Sequence, residues 1–169
     1  MNNIILQSER FNLRTLKKSD VGDRYLKWIN SEDNPYIEYT KKKRSLADIQ
    51  SYVVQQEKNN ASLFFGIFAR DNGEHIGNIK YEPIDFEKFQ TTMGILIGGK
   101  HWRGKGVATE VINISAEWLY ENFNIKNIFL SVDVKNVGAI RAYEKSGFTE
   151  NQELRRTKNQ IIMQLDLHE

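Results

Sequence analysis

The sequence predicts a mixed α/β (α+β) fold, one sheet of about six to seven strands flanked by about four helices. Three observations carry this. Strand-like and helix-like segments alternate along the chain with no internal repeat and no low-complexity linker. The composition, 40% hydrophobic and 27% charged, is that of an ordinary globular chain. A length of 169 residues suits one domain, 1–169, around a single core.

Phe11-Asn12-Leu13-Arg14-Thr15-Leu16 alternates and reads as a strand. Ser19 or Asp20 then caps a helix with the face Val21, Tyr25, Trp28 and Ile29. Ser45, with Asp48 three residues on, starts a second helix whose face is Leu46, Ile49 and Val53. Hairpins follow: Leu63 to Arg70 is aromatic and β-branched, Asp71-Asn72-Gly73-Glu74 is a turn, and His75 to Tyr81 runs back. Thr91 to Ile97 makes a further strand. After a glycine loop, Val107, Val111, Ile114 and Trp118 recur at helical spacing. Asn127 to Val134 is rich in apolar residues and reads as a buried strand. Asn136 caps a short helix ending at Gly147, and Ile161, Met163, Leu165 and Leu167 alternate in a last strand.

Several functions are excluded early. There is no cysteine, which rules out disulfides, cysteine-ligated zinc and a thiol nucleophile. His75, His101 and His168 are the only histidines and lie far apart in sequence, so no metal is expected. A net charge of +2 gives no reason to invoke nucleic acid. No run approaches the ~20 apolar residues of a membrane span, and the start lacks the basic and apolar pattern of a secretory signal. A cytoplasmic monomer or homodimer is expected, without membrane partners.

The chemistry gathers in His101-Trp102-Arg103-Gly104-Lys105-Gly106-Val107-Ala108-Thr109-Glu110. Glycines before a helix allow sharp bends and close approach, and the helix start offers unpaired N–H groups to an anion. A Walker loop needs Ser or Thr after its lysine, where Gly106 stands. A dinucleotide loop needs a third glycine where Thr109 stands. What remains, Arg103-x-x-Gly106-x-Ala108 between strand and helix, resembles the pyrophosphate-binding signature Q/R-x-x-G-x-G/A of the GNAT superfamily of N-acetyltransferases. One helix and one strand later, the segment from Asn136 through Ala139 and Tyr143 to Gly147-Phe148 is similar to that family's N-x-x-A-x-x-x-Y-x-x-x-G-F block. The run Trp102 to Val111, with Glu153-Leu154-Arg155-Arg156, resembles the branch typified by ribosomal-protein-alanine N-acetyltransferases. Amino-sugar and small-amine acetyltransferases share the pattern, so it does not fix the acceptor.

The resemblance implies the GNAT fold, with a mostly antiparallel mixed sheet whose strands splay at the acetyl-CoA site. Backbone N–H groups of Gly104, Lys105, Gly106, Val107, Ala108 and Thr109 would hold the pyrophosphate. Arg103 and Lys105 would add charge, unless they are solvated surface cations. Backbone at Ile95, Leu96 and Ile97 would bond the pantetheine arm and supply an oxyanion donor. Asn136 would bond the arm further along, or serve simply as a helix cap; Ala139 lies on the same block. Tyr143 matches the general acid that protonates the leaving thiolate, or is a core tyrosine. A thiol pKa of ~8.5 against ~10 for tyrosine makes the thiolate a ready leaving group, so the acid contributes ~10²–10⁴-fold rather than the whole rate.

The base is where the resemblance thins. The glutamate common in related enzymes is replaced by Met93, ahead of Gly94-Ile95. Glu82 is the first candidate in its place, then Asp85, with Glu110 and His101 further out. A weak or water-relayed base suits an α-amino group (pKa ~7.7–8.0) better than lysine (~10.4). The acceptor side would draw on residues 31–40, Phe64, Tyr81 and residues 82–90, with Trp28, Tyr36 and Tyr39 either as its floor or as core aromatics. The basic run Lys41–Arg44 would meet a nucleotide-sugar phosphate or ribosomal RNA, or stay solvated. The expected activity is acetyl-CoA-dependent transfer to a primary amine by direct attack, the alternative being an acyl-CoA sensor that has lost turnover.

Overall fold

The computed structural model describes residues 4–32, 35–36, 42–154 and 157–167. Eight strands form one sheet: β1 (Ile5–Gln7), β2 (Phe11–Thr15), β3 (Leu63–Ala69), β4 (His75–Asp85), β5 (Gln90–Ile97), β6 (Asn127–Asp133), β7 (Thr149–Glu150) and β8 (Gln160–Asp166), in the order β1-β2-β3-β4-β5-β6-β8-β7. All neighbours are antiparallel except β5 and β6. Among the described residues, four α-helices accompany them: α1 (Asp23–Ile29), α2 (Leu46–Lys58), α3 (Val107–Phe123) and α4 (Val137–Lys145).

Two strands exceed the sequence expectation. β1 and β7 have three and two residues, too short for an alternation to register. β4 runs four residues further than Tyr81, because a register shift between Tyr81 and Ile84 lets the strand continue past Glu82-Pro83. The first helix also starts later than expected. Lys18–Asp20 is a 3-10 turn, and Gly22 precedes α1. The Asp20 carboxylate is taken by Arg14, at 2.7 and 2.8 Å, and by the Lys17 N–H.

The sheet has two faces with different contents. One packs on α3, whose buried residues are Val107, Val111, Ile112, Ser115, Ala116 and Leu119. That face is rotated from the one the spacing suggested, so Ile114 and Trp118 sit at its margin, partly buried. Phe65, Ile67, Ile79, Tyr81, Met93, Ile128, Leu130 and Met163 meet it from the sheet. The other face carries α1 and α2, through Tyr25, Trp28, Ile29, Ile49 and Val53 against Leu16 and Leu96. Trp28 and Tyr81, expected near the acceptor, are thus core residues, 8% and 0% exposed. Gly98 makes room for Trp28: a Cβ there would stand 2.0 Å from its ring.

Tyr81 also fastens the sheet to α3. Its hydroxyl and Ser115 Oγ are 2.7 Å apart, Ser115 reaches the Val111 carbonyl as well, and burial pushes the phenol pKa up. Tyr81→Phe deletes one buried hydrogen bond while Ser115 keeps another. Urea unfolding should show a loss of about 1–2 kcal/mol. A variant as stable as the parent would mean that the hydroxyl pair contributes nothing.

Candidate active site

β5 and β6 pair only over Gln90–Thr92 and Asn127–Phe129. Beyond that, β5 stays bonded to β4 up to Ile97 and β6 to β8 up to Asp133, so the two strands diverge. The β4 irregularity lies level with the parting: Tyr81 opposes Met93 and Ile84 opposes Thr91, so Glu82 and Pro83 together stand across from Thr92, one residue more than β5 supplies. Such a bulge bends its strand and increases local twist. The parting opens a cleft of about 860 Å³, with Met93, Gly94, Ile95, Leu96 and Ile97 along one wall and Leu130, Ser131, Val132 and Asp133 along the other. Strand edges shielded from water need partners for their N–H and C=O groups, and an extended ligand can supply them.

The glycine loop stands at one mouth of this cleft. Gly104 and Gly106 have φ of +72° and +75°, a region that disfavours any side chain. Gly106 is the N-cap of α3 and brings no side chain to cap it. The first backbone bond into the helix there runs from the Glu110 N–H to the Gly106 carbonyl. The N–H groups of Val107, Ala108 and Thr109 therefore lie in the uncapped first turn of a 17-residue helix, at its positive end. Gly104, Gly106, Val107, Ala108 and Thr109 all line the cleft. Arg103 lines it too, but its Nε donates to the Ile97 carbonyl at 3.1 Å and ties the loop to the end of β5. Lys105 instead lies over the Trp102 ring, 5.9 Å from its centroid.

α4 closes the cleft. Asn136 Oδ1 caps the helix by accepting from the Ala139 N–H at 3.3 Å, and both residues line the cleft. That leaves the Asn136 amide NH₂ to donate elsewhere, so capping and ligand binding are compatible. Tyr143 lines the cleft two turns on, with its ring 5.9 Å from that of Phe148. Burial pushes its pKa up to about 12, and its hydroxyl has no hydrogen-bond partner among the described residues.

The acids are placed elsewhere. Glu82 sits at the β4 bulge and accepts from Lys80 Nζ at 2.8 Å, Asn59 Nδ2 at 2.9 Å and Gln56 Nε2 at 3.2 Å. Burial raises its pKa, but the Lys80 pair and the two amides outweigh this and hold the carboxyl below its ordinary value. Glu82 is not brought to the cleft lining. Asp85 caps the following turn by accepting from the Glu87 and Lys88 N–H groups. His101 lies 3.5 Å from Glu74, and Glu110 is bonded to Ser8 and Arg10. Met93 points into the core, 4% exposed. Tyr36 and Pro35 line the cleft, whereas Tyr39, Lys41, Arg155 and Arg156 lie outside the described residues.

A family model for the acetyltransferase (GNAT) domain matches residues 10–149. The chain belongs to the GNAT family. It is an N-acetyltransferase that depends on acetyl-CoA. An uncharacterized N-acetyltransferase, p20, of Bacillus licheniformis is 26% identical over 168 residues, covering 93% of this chain and 90% of the relative. Among solved structures, the ribosomal-protein-S5-alanine acetyltransferase of Vibrio fischeri has a TM-score of 0.76 at 18% identity, with 96% of each chain covered. The microcin C7 self-immunity acetyltransferase MccE, solved with acetyl-CoA and AMP, has a TM-score of 0.78 at 18% identity, covering 94% of this GNAT chain and 93% of MccE. At such identities the likeness is one of fold.

The residues of this GNAT chain fit acetyl-CoA: a glycine-rich helix entrance for phosphates, two open strand edges for an amide-bearing arm, and an unpartnered phenol beside them. Sequence reasoning did not single out Arg141 and Lys145, which line the cleft from α4, nor Ser131 and Gln160, which line it from β6 and β8. Arg141 and Lys145 are four residues apart on one helix, a spacing that puts them on one side. Ser131 and Gln160 carry no local signal, since they meet only through the β6–β8 register.

The Glu82 network sets a pH dependence. A carboxyl whose folded pKa is lowered stabilises the fold fully above the unfolded value of ~4.3, and that stability is lost as pH falls through the folded value. The stability difference between the parent and Glu82→Gln, read by urea unfolding, should therefore be present at neutral pH and shrink towards about pH 3. A difference that grew on acidification would contradict the assigned direction.

Proposed function

We propose that this chain moves the acetyl group directly from acetyl-CoA to a primary amine within a ternary complex, with Tyr143 as general acid. The observation that carries the reading is the Tyr143 phenol, which is protonated at neutral pH, unpartnered and in the wall of the cleft. Acetyl-CoA, when bound, supplies an activated thioester. The N–H groups at the α3 entrance take its phosphates. The open edge at Ile95, Leu96 and Ile97 bonds the pantetheine arm and donates to the carbonyl oxygen as negative charge develops there. The Asn136 amide donates to the arm. The amine nitrogen bonds to the carbonyl carbon, the carbon–sulfur bond breaks, the Tyr143 hydroxyl gives its proton to the sulfur, and the proton that the nitrogen sheds passes through water and restores the phenol. With no cysteine in the chain, a thiol acyl-enzyme has no residue to form on.

The amine would reach the thioester past other lining residues of the cleft, among them Tyr36, Ser131 and Gln160. Glu82, on β4 beside the parting, is the proposed acceptor-side acid. With its carboxyl already holding Lys80, it attracts an ammonium and receives a proton only through water. The acceptor must then bring its own neutral fraction. An α-amino group of a protein or peptide, or the amine of an amino sugar or another small molecule, does so near neutral pH, and a lysine side chain does so much less.

The test is CoA thiol release across N-terminal peptides, amino-sugar nucleotides, polyamines and lysine peptides. Release should be strongest with one of the lower-pKa amines, and Tyr143→Phe should lower kcat by ~10²–10⁴-fold. A lysine peptide outperforming the others at neutral pH would overturn the acceptor reading. Acetyl-CoA binding without release on any acceptor would point to a sensor instead.

A further inference from the structure

Arg10, on the turn between β1 and β2, stands 100 residues before Glu110 and belongs to none of the motifs above. The fold nevertheless brings it to the α3 entrance. Glu110, in the first turn of α3, accepts from Ser8 Oγ at 2.7 Å, from the Arg10 N–H at 2.8 Å and from Arg10 Nε at 2.7 Å. Burial raises the Glu110 pKa, but these bonds outweigh it and the carboxylate stays charged at neutral pH. Its contacts hold both the backbone and the side chain of Arg10.

The guanidinium is gripped by one end only. Nε is spent on Glu110, and the planar group lies over the Phe11 ring, 5.0 Å from its centroid. Nη1 and Nη2 have no hydrogen-bond acceptor among the described residues. Nη2 stands 3.8 Å from where a Cβ on Gly106 would be built. The free fork of donors thus borders the left-handed glycine whose neighbours offer their N–H groups to phosphate. Arginine suits this place because its fork meets two phosphate oxygens at once, with no need for the side chain to reorganise.

We propose that Arg10 is a phosphate-binding residue of the acetyl-CoA site, with Glu110 as its positioning residue. This rests on the reading that the Gly104–Thr109 loop holds the CoA phosphates. The Thr-Glu pair that ends the loop motif then has a role of its own, since Glu110 carries no base function and instead aims a cation from a distant turn.

Calorimetric titration of the purified protein with CoA tests this without turnover. Arg10→Gln keeps a donor for Glu110 and removes the charge; it should weaken Kd about tenfold at low salt, and less as salt screens the interaction. Arg10→Lys keeps the charge but loses the fork, so it should weaken binding less, and it serves as the reading variant if the glutamine form does not fold. Repeating the titrations with 3′-dephospho-CoA assigns the contact. A penalty that persists puts the fork on the diphosphate, one that vanishes puts it on the 3′-phosphate, and both support the proposal. Gly106→Ala runs in parallel as the report on the loop. If it weakens binding while both Arg10 variants bind as the parent does, the Arg10 proposal falls alone; if none of the three weakens binding, the loop reading falls with it. A penalty for Arg10→Gln that does not change with salt would assign Arg10 a structural role and overturn the proposal.

Discussion

β6 cannot follow β5 and β8 at once. β8 holds β6 along its whole length, β4 holds β5 along its whole length, and the two central strands share only three residue pairs before they part. The bulge at Glu82-Pro83 stands level with that parting, and a bulge bends its strand and increases local twist. A sheet interior that would otherwise be closed by ladder bonds becomes a slot with backbone on both walls. Every other part of the site is arranged around this slot. The glycine loop leaves β5 at its open end, α3 begins beside it, and α4 follows β6 to cover it.

The same constraint separates the work of the two sheet faces. The α3 face is a dry core in which even Met93, next to the parting, is nearly inaccessible. The face carrying α1 and α2 holds the polar network of Lys80, Glu82, Tyr52, Gln56 and Asn59. Charge is placed by position rather than by number. Arg103 is bent back onto the end of β5 and Lys105 onto Trp102, while Arg10, Arg141 and Lys145 reach the region from elements far apart in sequence.

Much of this was legible in the sequence. The glycine pair, the Asn136 cap and Tyr143 are local signals, each set by spacing along one element, and the structure gathers them at one cleft. Helix starts proved less legible where a side chain had a competing partner: Asp20 looks like a cap but is claimed by Arg14. The aromatic residues Trp28 and Tyr81 look like pocket residues and are core, because composition does not say which sheet face a strand turns to which helix. Arg10 was illegible for a different reason. Its position at the site depends on a contact between a turn and a helix a hundred residues apart, and no window of the chain contains both.

The proposed use of the slot is open to direct measurement by amide hydrogen exchange with and without CoA. Protection should rise at 93–97 on β5 and at 104–109 in the loop and first turn of α3, with the core of α3 unchanged. Exchange in those two segments unaffected by a saturating concentration of CoA, or protection confined to another part of the chain, would contradict the placement of the arm between the parted strands.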